Sequence, residues 1–222
     1  MRLFTLLLCT AAAAFAQTSD PVLAPVTDTP GLPRVLLIGD SISMGYTLPV
    51  RELLAAKANV HRVPDNAGPT THGVQFVESW LGKGKWDVIH FNFGLHDLKL
   101  IWDGSSQVSI EDYERNLRRL VMRLKQTGAK LIWATTTPVP DAKVDPPRSD
   151  ADVVRYNEAA ARVMKENGIA VDDLYSLARP QLAAIQLPAN VHFRPEGYAA
   201  LARQVAARIV ASLNAQAVPS QP

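Results

Sequence analysis

The chain has 222 residues, of which 47% are hydrophobic and 20% charged, a composition that suits one globular domain and excludes a disordered protein. Its 23 basic and 21 acidic residues leave a net charge of only +2, and since no basic cluster is present we expect no nucleic-acid partner. One domain of this length can bury a substantial core.

The first residues have the features of an export signal. Arg2 gives a positive start, residues 3–15 are almost wholly apolar, and Ala14-Phe15-Ala16 has the small-x-small pattern of a cleavage site. A membrane span needs about 20 apolar residues, so this segment is too short for a stable anchor. We expect residues 1–16 to be a signal peptide and the mature protein to be secreted or periplasmic, without its one cysteine, Cys9.

Residues 17–33 contain four prolines and no hydrophobic periodicity, which predicts a flexible lead-in. The predicted domain spans residues 34–214 and is followed by a tail at 215–222. Within it, short apolar runs alternate with amphipathic stretches. The runs predict strands at 35–38, 59–63, 86–93, 130–137 and 169–175. The stretches predict helices at 47–57, 71–81, 109–127, 151–167, 176–185 and 195–213.

This alternation predicts a single α/β domain, a three-layer α/β/α sandwich with a parallel sheet of about five strands. Pro49 is expected in the first turn of its helix, where a proline is tolerated. Ser109 and Asp112 resemble a capping box at the start of theirs. No repeat or second domain is visible.

The most informative stretch is Gly39-Asp40-Ser41-Ile42, directly after the apolar run at 35–38. A glycine permits a tight turn, and the serine then lies past the carboxyl end of a buried strand, where open α/β sheets present reactive groups. By itself the turn is more typical of a strand-to-loop connection with a serine helix cap. It lacks the Gly-x-Gly-x-x-Gly spacing of a dinucleotide site.

A partner base for this serine occurs far downstream. His192 precedes Pro195, which is expected to start the last helix. A serine hydroxyl is a poor nucleophile until a base accepts its proton, and a histidine in a loop can do so.

Together these residues resemble the SGNH, or GDSL-type, hydrolase family. The resemblance rests on four stretches in family order, namely Gly39-Asp40-Ser41-Ile42, Gly68, Gly94-Leu95-His96-Asp97 and His192. It implies a flavodoxin-like fold, with Ser41 as nucleophile and His192 as base. The reaction it implies is ester hydrolysis through an acyl-enzyme, with no metal and no organic cofactor.

The resemblance also implies an oxyanion site. Its donors would be the backbone N–H groups of Ser41 and Gly68, although Gly68 alone would be interpreted as a turn residue. The third donor of the family is an asparagine in a Gly-x-Asn-Asp pattern, and here that slot holds His96, whose neutral imidazole can donate one N–H. Asn92 is an alternative donor, or equally a core polar group by side-chain alternation.

One position departs from the family. An aspartate normally stands three residues before the histidine, but here that residue is Ala189. The ring of His192 would then be oriented by Asn190, by Asp40 or by a backbone carbonyl, which makes a Ser-His dyad our interpretation. The adjacent His96 and Asp97, with His72 and His90 elsewhere, do not have the spacing of a metal site.

The expected substrate is a small-molecule or glycan ester, with O-acetyl groups on carbohydrate preferred because the chain looks exported, has no long apolar lid and resembles a family that includes carbohydrate esterases. Lipid esters such as lysophospholipids are the alternative, with an acyl pocket built from residues after the third stretch: Leu98, Leu100, Ile101 and Trp102. A non-catalytic carbohydrate-binding relative is a further alternative.

Overall fold

The computed structural model describes residues 20–215 and contains one parallel sheet. Its strands are Arg34–Ile38 (β1), Asn59–Arg62 (β2), Val88–Phe91 (β3), Lys130–Ala134 (β4) and Ala170–Asp172 (β5). They lie in the order β2-β1-β3-β4-β5, and all four neighbouring pairs are parallel. The predicted five-stranded parallel sheet is confirmed.

The helices are Ser41–Leu53 (α1), Thr70–Leu81 (α2), Ile110–Lys125 (α3), Asp150–Asn167 (α4), Leu174–Ala178 (α5), Leu182–Ile185 (α6) and Pro195–Asn214 (α7). Parallel crossovers are right-handed, and the step from β1 to β2 runs opposite to all the later steps. This reversal puts α1 on one face of the sheet and α2, α3 and α4 on the other. α7 packs against α1, which completes the three layers of the predicted fold.

The strand order also fixes where a site can form. The chain leaves β1 in one direction and reaches β3 from the other, so a crevice opens between the carboxyl ends of β1 and β3. Ser41 follows β1 directly, and the Gly94–Asp97 stretch follows β3. The fold therefore brings two of the four predicted site stretches to one place.

Two helix predictions are corrected. α1 begins at Ser41 and not at residue 47, because the Asp40 side chain accepts a hydrogen bond from the N–H of Ile42 at 2.9 Å and caps the helix. Pro49 therefore lies inside α1, outside its first turn. The helix predicted at 176–185 is divided into α5 and α6 by a 3-10 turn at Arg179–Gln181, which contains Pro180.

Residues 20–33 form no helix or strand but are attached to the edge of the sheet. The Asn59 amide group accepts a hydrogen bond from the N–H of Thr29 at 2.8 Å and donates to the carbonyl oxygens of Thr29 and Leu32. Asp28 contacts both His61 and Arg34. These contacts attach residues 28–32 to the edge of the sheet, and the flexibility expected of the lead-in stays a prediction.

The predicted signal peptide, the first residues of the lead-in and most of the predicted tail fall outside the described residues and remain predictions. Between residues 20 and 215, none of the helices combines the length and apolar character that crossing a membrane requires.

Candidate active site

The turn between β1 and α1 presents Ser41 as the first residue of a helix. Backbone N–H groups in a first helical turn have no intrahelical acceptor, and the helix dipole makes this end positive. Gly39 is required for the tight packing of the turn, since a Cβ there would lie 2.9 Å from the Cβ of Ser43. The hydroxyl and the N–H of Ser41 thus both lie at the positive end of α1.

His192 contacts Ser41 directly, with 2.9 Å between its Nε2 atom and the serine Oγ. Its other ring nitrogen, Nδ1, lies 2.7 Å from the Oδ1 atom of Asn190. The same Oδ1 atom accepts a hydrogen bond from the backbone N–H of His192 at 2.9 Å. Because a backbone N–H can only donate, the amide oxygen must face the histidine, so Nδ1 carries the ring proton and Nε2 is left to accept one from Ser41.

The loop that carries His192 is a closed hairpin. Gln186 and Phe193 form an antiparallel bridge, and the N–H of Leu187 donates to the carbonyl of His192 at 2.9 Å. Ala189, at the tip, is exposed and has a φ of 48°, in the left-handed region. Asn190, and not the residue at the family's aspartate position, therefore reaches the ring of His192.

Two candidate residues have other partners. Asp40, the alternative for orienting His192, is buried, and its side chain caps α1 instead. Asn92, the alternative oxyanion donor, uses its amide N–H groups on the carbonyl of Ala134 at 2.8 Å and on the hydroxyl of Thr136 at 3.4 Å. Both predictions are corrected, and Asn92 is the core polar group that side-chain alternation allowed.

Gly68 has a φ of +58°, which explains why glycine occupies this position. Its N–H donates to the Oδ1 atom of Asn66 at 2.9 Å. A substrate oxyanion would therefore have to share or replace this acceptor.

His96 lies half-buried among the charges of the site. Burial lowers its pKa below the usual range, and the positive charges of Arg148 and Lys99 act in the same direction, while Asp40 opposes them. At neutral pH the imidazole is therefore neutral and can donate one N–H. Arg148 also supports this loop, because its Nε atom donates to the carbonyl of Leu95 at 2.8 Å.

Asp97 joins two parts of the candidate oxyanion site, a role that the sequence analysis missed. It is fully buried and accepts hydrogen bonds from the N–H of Thr70, at 2.8 Å, and from the Thr70 hydroxyl. Thr70 is the first residue of α2 and lies two residues after Gly68. The N-cap residue of this helix makes no side-chain hydrogen bond to the free N–H groups of the first turn. Asp97 thus ties the His96 loop to the Gly68 loop. The only sequence signal for this role was that Asp97 belongs to the Gly94-Leu95-His96-Asp97 stretch.

The segment after Asp97 forms a small hairpin. Leu100 and Ser106 make an antiparallel bridge, and the N–H of Ile101 donates to the carbonyl of Ser105 at 2.9 Å. Leu98 is fully buried, whereas the Trp102 side chain at the tip is 94% exposed. The four residues from which the lipid alternative would build an acyl pocket therefore do not line one common pocket.

The remaining histidines have structural partners. His90 lies 3.0 Å from the buried Asp172, and His61 contacts Asp28. His72 pairs with Asp65. Within residues 20–215, no three His, Cys, Asp or Glu side chains converge as a metal site would require.

The model of the GDSL-like Lipase/Acylhydrolase family matches residues 37–200. None of the curated protein sequences matches the chain.

Among solved structures, the chain is similar to an acetyl xylan esterase, AlAXEase, at 16% identity and a TM-score of 0.69, covering 79% of this chain and 99% of that one. The lipase/acylhydrolase from Enterococcus faecalis is 21% identical, with a TM-score of 0.69 and coverage of 80% and 95%. Axe2, an acetylxylan esterase from Geobacillus stearothermophilus, is 19% identical, with a TM-score of 0.65 and coverage of 85% and 97%. At these identities the likeness shows the fold.

The burial of Asp97 predicts a pH-dependent stability. Burial raises the pKa of this carboxyl group to about 7, while the hydrogen bonds from Thr70 act against the shift. In the unfolded chain its pKa is about 3.9, so the folded state holds the proton more strongly, and the stability from this group is lost as pH rises between these values. We expect the Tm of Asp97→Asn relative to wild type to rise by roughly 4 to 10 °C from about pH 4 to about pH 8.

Thermal unfolding across this pH range measures the effect. Asp141→Asn, which removes an exposed carboxyl group from a loop, controls for the general loss of a negative charge. A Tm difference for Asp97→Asn that is flat with pH, or that falls, would contradict the raised pKa.

Proposed function

The chain belongs to the GDSL-like lipase and acylhydrolase family, and we propose that it is an exported serine esterase that removes small acyl groups, above all O-acetyl groups, from carbohydrate. It is a carboxylic ester hydrolase by membership of this family. The observation that carries the mechanism is the contact of 2.9 Å between Ser41 Oγ and His192 Nε2.

In the proposed reaction, Ser41 Oγ attacks the acyl carbonyl carbon while His192 Nε2 takes the hydroxyl proton. The tetrahedral intermediate collapses, the alcohol leaves with the proton returned from Nε2, and the acyl group remains on Ser41. Water then attacks the acyl carbon and loses a proton to Nε2. The second tetrahedral intermediate collapses as the bond between the acyl carbon and Ser41 Oγ breaks, Nε2 returns the proton to Oγ, and the carboxylic acid is released. Throughout, the Oδ1 atom of Asn190 accepts a hydrogen bond from the Nδ1–H group of His192, which keeps its proton, and this bond holds the ring in its productive orientation.

The proposed oxyanion donors are the N–H groups of Ser41 and Gly68 and the imidazole of His96. Preset donors of this kind contribute about 3 to 4 kcal/mol each to transition-state stabilisation. This contribution matters more than usual here, because the amide of Asn190 is neutral and stabilises the histidine cation less than a carboxylate would.

Export is supported by residues 1–16, with their positive start, apolar middle and small-x-small end. The preference for carbohydrate acetates is supported by two similar structures whose names describe acetyl xylan esterases. One observation favours the lipid alternative: Ile101 and Trp102 expose apolar surface at the tip of the hairpin that follows Asp97, and such surface suits a long acyl chain.

The nucleophile is tested by Ser41→Ala. We expect this variant to keep its Tm within a few degrees of the wild-type value. Its turnover of a short acyl ester should fall by more than about 10³-fold, because Ser41 is the only nucleophile in the proposed mechanism that forms the acyl-enzyme. A fluorophosphonate probe should add its mass to the peptide that contains Ser41 in the wild type and to no peptide in the variant. Wild-type turnover by Ser41→Ala would contradict the assignment. Absence of labelling in the wild type, together with glycan binding by both forms, would instead favour a non-catalytic binding protein.

Acyl preference is tested by comparing acetyl with octanoyl esters in the wild type and in Trp102→Ser. We expect the acetyl ester to be hydrolysed faster, with Trp102→Ser changing the ratio of the two rates by less than about twofold, since a fully exposed tip provides no enclosed acyl pocket. Met122→Ser, which removes an exposed apolar side chain on α3, is the matched control. A rate that rises strongly with chain length in the wild type and loses this rise only in Trp102→Ser would support the lipid alternative.

A further inference from the structure

Arg62, the last residue of β2, is a buried cation that the reaction does not use. Only 9% of the surface of Arg62 is exposed to solvent. A guanidinium has five N–H donors, and all five are matched by neutral oxygen acceptors. These are the carbonyl oxygens of Gly39, Val63 and Asp65 and the hydroxyl groups of Ser43 and Thr47.

The first group of these contacts fixes the turn before Ser41. Nη2 donates to the carbonyl of Gly39 at 3.0 Å, and Nη1 donates to the Ser43 hydroxyl at 2.9 Å. The Ser43 hydroxyl in turn donates to the carbonyl of Asp40 at 2.9 Å. That carbonyl and the N–H of Ser41 belong to the same planar peptide group, so fixing the direction of one fixes the other.

The second group of contacts fixes the loop before Gly68. Nη2 donates to the carbonyl of Asp65 at 3.0 Å, and Nε donates to the carbonyl of Val63 at 3.2 Å. The same loop is joined to the serine turn by the N–H of Ala67, which donates to the carbonyl of Gly39 at 3.2 Å. Arg62 therefore spans the two backbone segments that carry the N–H groups of Ser41 and Gly68.

We infer that Arg62 is a positioning residue for the oxyanion site, holding the N–H groups of Ser41 and Gly68 at a fixed separation and direction. The inference rests on the proposed function, because only a reaction with a developing oxyanion needs these two donors aligned. Arg62 lies outside the four stretches that carry the family resemblance, and it touches no reacting atom.

The chemistry of the side chain explains why arginine is needed. Burying a cation is costly unless each donor has an acceptor, and a planar fork reaches acceptors on both segments at once. Lysine keeps the charge but presents three donors from one nitrogen, so it cannot reach the acceptors on both backbone segments at once.

The experiment measures kcat and KM for p-nitrophenyl acetate in the full-length mature protein. We expect Arg62→Gln to lower kcat about 10- to 100-fold with KM within about twofold, because a displaced donor weakens the transition state more than ground-state binding. Arg62→Lys should recover only part of this loss. Ser43→Ala, which removes the hydroxyl between Arg62 and the Asp40 carbonyl, should lower kcat about 3- to 10-fold.

The matched control is Asn59→Ala at the other end of β2. Asn59 is also buried and its amide group also makes three hydrogen bonds, but these hold residues 29 and 32 on the far side of the strand. We expect Asn59→Ala to lower the Tm while keeping wild-type kcat. A kcat loss in Arg62→Gln no larger than that of Asn59→Ala would overturn the inference. So would wild-type kcat in Ser43→Ala, which also decides the question if Arg62→Gln does not fold.

A second measurement separates this inference from the proposed function. In ¹⁵N-resolved spectra, the backbone amide signals of Ser41 and Gly68 should shift or broaden in Arg62→Gln and Ser43→Ala but not in Asn59→Ala. Unchanged signals in the first two variants would overturn the positioning role. Should the wild type show no Ser41-dependent turnover, the proposed function fails, and these amide signals alone decide whether Arg62 fixes the two segments.

Discussion

The candidate site depends on one oxygen atom, Oδ1 of Asn190. It accepts one hydrogen bond from the backbone N–H of His192 and faces the Nδ1 atom of the same residue. The first contact closes an Asx turn and fixes which end of the amide points at the ring, and the second leaves Nε2 unprotonated toward Ser41. A neutral amide thus orients the base without an aspartate, since tautomer and ring direction are set by geometry and do not require a negative charge.

The same local device recurs at the other proposed catalytic segments. The side chains of Asp40 and Asn66 each accept a hydrogen bond from the N–H two residues further along, at 2.9 Å in both cases. The first starts α1 at Ser41, and the second shapes the turn at Gly68. Each loop is ordered by its own short polar side chain, while Arg62 and Asp97 connect the loops to one another. Local turns and long-range connections together make a preorganised site at the crevice between β1 and β3.

Much of the fold was predictable because it follows from local patterns. Alternating apolar runs and amphipathic stretches predicted the parallel sheet, and Ser109 marked a helix start that the structure confirms. The predicted start of α1 is wrong because it rests on Pro49 as a first-turn proline, whereas Asp40 caps the helix and is the stronger N-terminal signal.

The site was predictable only in part. Ser41 and His192 follow from the family pattern, and the sequence offered Asn190 as one of several partners. Asn92 is a core polar group because its amide donates to the carbonyl of Ala134 in the neighbouring strand β4. The sequence pattern around β3 does not show this contact. Arg62 is the last residue of a short strand, a position that surface residues often occupy, and its five acceptors come from two segments, residues 39–47 and 63–65. Contacts between segments distant in sequence were the part that one sequence could not supply.

The turnover number of Asn190→Ala, compared with those of the wild type and of Asn190→Asp, tests the central claim most directly. The account predicts that alanine lowers kcat roughly 10- to 100-fold at unchanged KM, because the ring of His192 loses both its tautomer and its direction, while aspartate keeps kcat at or above the wild-type value. Wild-type kcat in a folded Asn190→Ala protein would contradict the account, because His192 would then be oriented by another group.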